Sequence, residues 1–175
     1  MNIDIPTLET PHLMLRGHRL EDFAAYFALV GDPYVKRYFS GPLSREDAWA
    51  RFLRGFGYWV VLGHGSWAVE EKKTGVYAGL VSVFDAKRDV DPPLEGMAEA
   101  GWSIARRLQG KGYATEAMTA AFAWFDAHFR LKTCALIAPE NKASIRVAEK
   151  TGFTFLHETM FKNHPSLVYV RPPHA

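Results

Sequence analysis

The sequence contains a single cysteine, Cys134, and therefore lacks the second thiol that an internal disulfide needs. It also lacks any apolar run of about 18 residues, the length that spans a bilayer. No basic segment followed by an apolar run stands at the N-terminus, so no export signal is apparent. These absences predict a soluble cytoplasmic protein without a membrane partner.

An excess of charge of one sign is missing as well. The 21 lysines and arginines nearly balance the 19 aspartates and glutamates, for a net charge of +2. This balance argues against nucleic acid as a partner held by bulk charge. The seven histidines are scattered, without a metal-ligand pair on one helix face, so the sequence predicts no metal site.

The apolar residues, 48% of the 175, are sufficient for the core of one compact domain, which we expect to span residues 1–175. Apolar runs predict strands at 10–16, 59–62, 66–71, 76–85, 98–104, 132–138, 153–156 and 167–170. Helical spacing and capping signals predict helices at 21–30, 34–39, 44–56, 114–129 and 141–150. An antiparallel front half and a β-α-β-α-β rear half indicate an α+β (mixed α/β) domain with a mixed sheet.

The most informative stretch joins a predicted strand to a predicted helix and contains Gly110, Lys111 and Gly112. Glycines let a backbone bend closely around a ligand, and the unpaired N–H groups at the start of a helix favour an anion. Lys111 adds positive charge, with Arg106 and Arg107 just upstream. The stretch can be a phosphate cradle or an ordinary turn with solvated basic residues, and the glycines alone do not decide between them.

A Walker-type nucleotide loop does not fit the same stretch. Its first glycine would fall at the position of Ala105. A serine or threonine would also have to follow Lys111, where Gly112 stands. The spacing therefore excludes a P-loop.

Three further segments accompany this loop in order along the chain: 10–16 (TPHLMLR), 99–102 (EAGW) and 141–153 (NKASIRVAEKTGF). Together with 107–112 (RLQGKG), they resemble the GNAT superfamily of acetyl-CoA-dependent N-acetyltransferases, in the branch of the ribosomal-protein N-terminal (alanine/serine) acetyltransferases. The pyrophosphate loop of that family reads (Gln/Arg)-x-x-Gly-x-(Gly/Ala). The sequence departs from the family upstream, where residues 105–107 (ARR) replace the proline or acidic residue often seen there.

The resemblance implies a central, mostly antiparallel mixed sheet with helices on both faces. It also implies acetyl-CoA as the co-substrate, no metal, and a homodimer, since members of the family are often dimers. The pyrophosphate would lie on the glycine loop and the pantetheine arm near helix 141–150. The cofactor-binding residues implied in this way are Trp102, Ser103, Ile104, Arg107, Gln109, Gly110, Lys111, Gly112, Tyr113, Ala114, Thr115, Asn141 and Ser144.

Acetyl transfer from a thioester to an amine needs a base for the amine, a donor for the oxyanion and an acid for the thiolate. The resemblance points to Glu99 as the base, directly or through a water, although an exposed or ion-paired strand glutamate fits the sequence too. A backbone N–H within 102–104 can serve the oxyanion. Ser144 shares a helix face with Asn141 and is implied near the cofactor sulfur, as the acid or only as a binding group. A first-turn serine below an asparagine cap is the alternative.

Cys134 lies in an apolar run with no histidine nearby in sequence, so we expect a small core residue rather than a nucleophile that carries the acetyl group. Direct transfer between acetyl-CoA and the amine follows from this expectation. Several aromatic residues of the front half can line an acceptor pocket or pack in the core. They are Tyr34, Tyr38, Phe39, Phe56, Tyr58 and Trp59.

Three functions remain open at this point. The first is acetylation of a primary amine, above all the α-amino group of a protein or peptide. The second keeps the chemistry and changes the acceptor to a small amine, such as a polyamine, an aminoglycoside or an amino-acid derivative. The third is a sensor that binds acetyl-CoA without turnover, which the set of Glu99, Asn141 and Ser144 disfavours only weakly.

Overall fold

The computed structural model describes residues 4–38 and 43–174. Within them, one sheet of eight strands runs in the order β1-β2-β3-β4-β5-β6-β8-β7. The strands are β1 (Leu8–Glu9), β2 (Leu13–Arg16), β3 (Ser66–Glu71), β4 (Val76–Phe84), β5 (Ala98–Ile104), β6 (Thr133–Ile137), β7 (Thr154–Phe161) and β8 (His164–Arg171). The helices are α1 (Phe23–Gly31), α2 (Pro33–Lys36), α3 (Arg45–Leu62), α4 (Tyr113–Phe129) and α5 (Lys142–Lys150).

The sheet is mixed, as the sequence predicts. Neighbouring strands pair antiparallel, with the exception of β5 and β6, which are parallel. The parallel pair brackets α4, as a crossover connection requires. The predicted α+β class with a mostly antiparallel mixed sheet is therefore confirmed.

Helices cover both faces of this sheet. Ala78, Val81 and Val83 of β4 belong to the larger buried cluster, which includes much of α4. Tyr77 and Leu80 of the same strand pack against the second cluster, which is formed by α1 and α3. Successive side chains of a strand point to opposite faces, and the register with β3 skips Ala78, so a bulge there shifts the alternation between Tyr77 and Leu80. Each face of β4 thus carries its own helical layer.

The strand predicted at 59–62 is wrong, because these residues form the last turn of α3. A short apolar run is typical of both a buried strand and a helix segment, and periodicity does not distinguish them. The helix begins at its cap Ser44, whose hydroxyl accepts the N–H of Asp47, and it ends at Gly63 with a left-handed φ of 73°. Val61 is 79% exposed, which a central strand would not allow.

The other helices and strands lie close to their predicted positions. The N-terminal strand is shorter than predicted and follows the separate two-residue strand β1. The helix predicted at 34–39 is the four-residue α2, and the last residue of that prediction, Phe39, lies outside the described residues. The last two strands are longer than predicted, because β7 and β8 form a hairpin with eight residues in each strand.

Candidate active site

The site is organised by two strands that pair and then separate. Where β5 and β6 are described, their register joins Ala98 to Thr133 and Glu99 to Cys134 and goes no further. The Ala98 N–H donates to the Lys132 carbonyl across this junction, at 3.0 Å. Alternate residues of a strand direct their backbone groups to the same edge. The N–H groups of residues 102 and 104 therefore point into the opening beyond the junction.

A large cleft of about 770 Å³ extends from this opening over the start of α4 and the exposed side of α5. Of the residues expected to bind the cofactor, those that line it are Trp102, Ser103, Ile104, Gln109, Gly110, Gly112, Tyr113, Ala114, Thr115, Asn141 and Ser144. The structure thus brings residues from three separate sequence segments into one cleft.

Arg107 and Lys111 do not contribute to this lining. An Arg107 guanidinium nitrogen is 3.4 Å from the Tyr77 carbonyl oxygen that accepts its hydrogen bond. The Lys111 ammonium lies 3.3 Å from Glu71 Oε1, and neither residue lines the cleft. Arg106 lines the cleft instead, with its guanidinium 4.8 Å from the Tyr34 ring centre.

Sequence reasoning missed several other residues of the large cleft. Four of them lie on α5 at the spacing of one helix face, which the predicted helix 141–150 could have indicated. Leu108 lies within the glycine-loop segment 107–112, and the others come from the segment around α2, which carries no motif. Apart from Tyr34 and Tyr38, which the sequence offered as acceptor-pocket aromatics, the missed residues are Val35, Arg37, Leu108, Ala143, Arg146, Val147 and Lys150.

The loop before α4 has the geometry that an anion needs. Gly110 and Gly112 have φ values of 80° and 83°. This left-handed conformation is strained for residues that have a side chain. Gly112 is the N-cap of α4 and offers no side chain to its first turn. The N–H groups of the first turn thus remain available at the cleft wall, where the helix dipole favours a negative charge.

Glu71 of β3 binds the first residue of α4, Tyr113, through a hydrogen bond. Its Oε1 accepts the Tyr113 hydroxyl at 2.8 Å, and its Oε2 accepts the Thr74 hydroxyl at 2.8 Å. These hydrogen bonds, of which the Tyr113 one has the largest effect, lower the pKa of Glu71 to about 2. The carboxylate of Glu71 thus stays ionised, and it also forms an ion pair with the Lys111 side chain of the loop.

Trp102 and Ser144 connect the separated strand to α5. Asn141 caps this helix through its side-chain oxygen, which accepts the Ser144 N–H at 3.1 Å. The Ser144 hydroxyl oxygen accepts the indole N–H of Trp102 at 3.2 Å. An indole N–H only donates, so the hydroxyl hydrogen of Ser144 is free for another acceptor.

A small cleft of about 280 Å³ opens on the other side of the same junction. Glu99 lies at its base, 9% exposed, and both of its oxygens accept hydrogen bonds from Arg88, at 2.7 and 2.8 Å. The ion-pair reading of Glu99 is therefore observed. Each carboxylate oxygen has a second lone pair, so a water can still bind there.

The two clefts share part of their walls. Tyr38, Trp102, Ser103, Asn141 and Ser144 line both of them. A long ligand in the large cleft and a second molecule in the small cleft would meet at these residues. The arrangement suits a group transfer between two bound molecules.

Cys134 is 1% exposed, and burial raises its pKa to about 12. A thiol with such a pKa is a poor nucleophile at neutral pH. Its position on β6, beside the small cleft rather than in its lining, agrees with the expected core role.

The front-half aromatics divide between clefts and core. Tyr34 lines the large cleft, Tyr58 lines the small one, and Tyr38 lines both. Phe56 and Trp59 pack in the two buried clusters. Phe39 lies outside the described residues.

Two further properties follow from the described part of the chain. Among the described residues, no group of three or more histidine, cysteine, aspartate or glutamate side chains is arranged to hold a metal ion. None of the described helices combines the length and the apolar content that are needed to cross a membrane.

Known proteins share both the sequence pattern and the fold. YkkB of Bacillus subtilis, described as uncharacterized, is 35% identical over an alignment of 170 residues, with 94% of each chain covered. A crystal structure of an acetyltransferase from Agrobacterium tumefaciens is 28% identical with a TM-score of 0.83, over 100% of this chain and 98% of that one.

More distant solved structures show the same fold. One is RimL, a ribosomal alpha-N-protein acetyltransferase in complex with coenzyme A, at 17% identity and a TM-score of 0.77 over 95% and 98% of the two chains. Another is the spermidine N-acetyltransferase of Vibrio cholerae in complex with coenzyme A and spermine. It is 20% identical with a TM-score of 0.70, over 92% of this chain and 94% of that one.

A family model described as an acetyltransferase (GNAT) domain matches residues 12–154. The chain belongs to this acetyltransferase family.

Proposed function

We propose that the protein transfers the acetyl group of acetyl-CoA directly to a primary amine, and that its favoured acceptor is the α-amino group of a peptide or protein. The observation that carries the proposal is the shared wall of the two clefts, formed around Trp102 and Ser144. A thioester in the large cleft and an amine in the small one would come into contact there. Holding both reactants in this way supplies much of the rate enhancement of a bimolecular step.

The large cleft fits coenzyme A by its shape and by its donors. Its volume of about 770 Å³ suits an elongated ligand, and the uncapped first turn of α4 suits a pyrophosphate. Arg106, Arg146 and Lys150 add positive charge along the same wall. The coenzyme A bound to RimL is consistent with this assignment, although that likeness extends to the fold alone.

Three groups at the junction match the three tasks of the chemistry. The backbone N–H groups of residues 102 and 104 can donate to the carbonyl oxygen as it becomes an oxyanion. Glu99 can accept the amine proton through a water on its free lone pairs. The free hydroxyl hydrogen of Ser144 can pass to the departing thiolate while the serine oxygen regains a proton from solvent water.

Direct transfer is favoured over an acetyl-enzyme. The only cysteine in the sequence, Cys134, is buried and has a raised pKa. A covalent intermediate would require this thiol to ionise and to leave the β6 strand. The amine would therefore attack the thioester while both molecules are bound.

The acceptor class is the open part of the proposal. RimL is described as acetylating an α-amino group of a ribosomal protein, and the Vibrio cholerae enzyme as acetylating spermidine. The segment match to the N-terminal acetyltransferase branch, 141–153 above all, favours the peptide. A small amine is the second candidate, and an acetyl-CoA sensor is the third.

A thiol-release assay distinguishes these candidates. Wild-type protein is incubated with acetyl-CoA and, in parallel, with N-terminal peptides, spermidine, an aminoglycoside or no amine. We expect release that depends on the amine and is fastest with a peptide. Fastest release with a small amine would move the assignment to the second candidate, and coenzyme binding without stimulated release would favour the sensor.

A further inference from the structure

The small cleft is rich in arginine for a site that would receive an amine. The residues that line it include Arg51, Arg54 and Arg88 and a single acidic residue, Glu99. Arg88 and Glu99 already bind each other through two hydrogen bonds. Arg51 and Arg54 are therefore the charged residues of the lining that this pair does not include.

Arg51 and Arg54 reach the cleft from one face of α3. They share this face with Gly55 and Tyr58, because residues three, four and seven positions apart lie on the same side of a helix. Both arginines are exposed, so their side chains are free to meet a ligand.

Neither arginine forms a salt bridge within the part of the chain that the structure describes. Across residues 4–38 and 43–174, the salt bridges join other pairs and include neither Arg51 nor Arg54. The segment 39–42 contains no aspartate or glutamate that could pair with them. Asp47, one turn before Arg51 on α3, accepts the hydroxyl of Ser44 at the start of the helix.

Two tyrosines of the small cleft lie near the same arginines. Burial raises the pKa of Tyr58; the charges of Arg54 and Arg88 oppose this rise, and those of Glu99 and Asp85 add to it. Burial likewise raises the pKa of Tyr26, and Arg51 and Arg54 oppose it. Both tyrosines line the small cleft, so Arg51 and Arg54 lie close to the side chains of its wall.

The large cleft has its own cations and does not need these two. Arg106, Arg146 and Lys150 line it, whereas Arg51 and Arg54 do not. A role in binding the phosphates of the coenzyme therefore leaves the two α3 arginines unexplained.

We propose that the acceptor is an amine that carries a carboxylate, and that Arg51 and Arg54 bind this carboxylate while the amine lies toward Glu99 and Ser144. Guanidinium groups bind carboxylates with charge-assisted hydrogen bonds, often in pairs. The proposal rests on the proposed function, because it assigns a charge to the acceptor of the same site. A polyamine would bring only positive charge into this cleft and would be repelled.

Matched acceptors test the proposal, since each pair differs only in the carboxylate. One pair is the amidated peptides Ala-Glu-Ala and Ala-Gln-Ala, in which a side chain supplies the anion. The other pair is free alanine and alaninamide, in which the α-carboxylate supplies it. For at least one pair we expect kcat/KM to favour the carboxylate by about tenfold or more, as hydrogen bonds to charged groups contribute. Which pair responds identifies the source of the anion.

The double variant Arg51→Gln/Arg54→Gln should lose this preference, mainly through a higher KM for the acceptor, and should keep its affinity for acetyl-CoA. The control Arg45→Gln/Lys73→Gln removes the same net charge outside both clefts and should keep the preference. Equal kcat/KM within both pairs, or a wild-type preference for spermidine, would overturn the carboxylate proposal while leaving acetyl transfer intact. Absence of transfer to every amine would overturn the proposed function together with it.

Discussion

The indole nitrogen of Trp102 donates a hydrogen bond to the hydroxyl oxygen of Ser144, 3.2 Å away, at the place where the two clefts meet. This bond joins β5 to the first turn of α5 across the gap that the separated strands leave. It also fixes the direction of the Ser144 hydroxyl, since the indole occupies one of its lone pairs. The geometry leaves the hydroxyl hydrogen free for another acceptor, which we propose is the departing sulfur.

Removal of this hydroxyl should slow catalysis without loosening the helix. In Ser144→Ala the backbone N–H of residue 144 still bonds to Asn141, so the cap of α5 is kept. We expect kcat to fall by about a hundredfold, as for loss of a general acid, with little change in the affinity for acetyl-CoA. Trp102→Phe removes the indole donor, together with part of the ring that packs against the core, but keeps the Ser144 hydroxyl and should cost less. If kcat of Ser144→Ala equals that of wild type, Ser144 has no role as an acid.

The glycine loop should tolerate a side chain poorly because of its backbone conformation. Gly110→Val places a β-branched residue at a φ of 80°, where even an ordinary side chain costs roughly 1–2 kcal/mol. We expect affinity for acetyl-CoA, measured by calorimetry, to fall about tenfold or more as the loop rearranges. Gly75→Val is the control, because Gly75 has a φ of 68° in the turn between β3 and β4 and lies outside both clefts. Equal affinities of the two variants would contradict the cradle.

Glu99 and its partner Arg88 should have separable effects on rate. Glu99→Gln retains a hydrogen-bonding group but loses the base, and we expect kcat to fall by about a hundredfold and its pH dependence to change. Arg88→Gln keeps the carboxylate and should retain more of kcat. Thermal unfolding of both variants identifies any loss that comes from the broken ion pair. A Glu99→Gln enzyme with the rate and pH profile of wild type would remove Glu99 from the mechanism.

A second buried ion pair should matter for stability and not for the clefts. Asp126 and Arg171 are 6% and 2% exposed, and Asp126 accepts hydrogen bonds from Arg171 and from the His174 N–H. Asp126→Asn leaves the buried guanidinium without its counter-charge, so the free energy of unfolding should fall by about 3–5 kcal/mol. The double variant Asp126→Leu/Arg171→Met should recover much of this loss in urea titrations. Unchanged stability of Asp126→Asn would show that the pair contributes little.

Acid should destabilise the fold through His18. This histidine is surrounded by aromatic rings, and burial lowers its pKa from 6.5 to about 4. Below pH 6.5 the unfolded chain binds a proton that the folded one refuses, so stability falls from there down to about pH 4 and is fully present above. His18→Gln should reduce the slope of the unfolding free energy in this window by up to about 1.4 kcal/mol per pH unit. An identical slope in both proteins would contradict the burial of a neutral His18.

The sequence was sufficient for most of the sheet and, through the family resemblance, for three of the segments that line the large cleft, because their signals are local. The segment around α2, with Val35 and Arg37, carries no such signal. The apolar runs, the glycines before α4 and the Asn141 cap each express a backbone requirement of their own segment. The strand predicted at 59–62 was wrong because four apolar residues fit a helix end equally well. The order of the motifs along the chain therefore indicated which of these segments would meet, and the position of the coenzyme along them is a proposal.

Long-range pairing was the part that the sequence could not supply. Nothing local indicates that Glu99 binds Arg88 or that Asp126 is buried with Arg171, since each pair forms only after the sheet has closed. The sequence does not distinguish Arg51 and Arg54 of α3 from ordinary solvated charges on a helix. The role proposed for these two arginines depends on the small cleft that they line, beside the point where β5 and β6 separate.

The most direct test of direct acetyl transfer follows the acetyl group itself. Wild-type protein is incubated with acetyl-CoA at increasing concentrations of a peptide or amino-acid amine, free thiol is measured, and mass spectrometry examines both the amine and the protein. We expect thiol release to rise with the amine, the acetyl group to appear on the amine, and none to remain on Cys134. Binding of acetyl-CoA without amine-dependent release, or a stable acetyl group on Cys134 in the absence of amine, would contradict transfer between two ligands at the shared wall of the clefts.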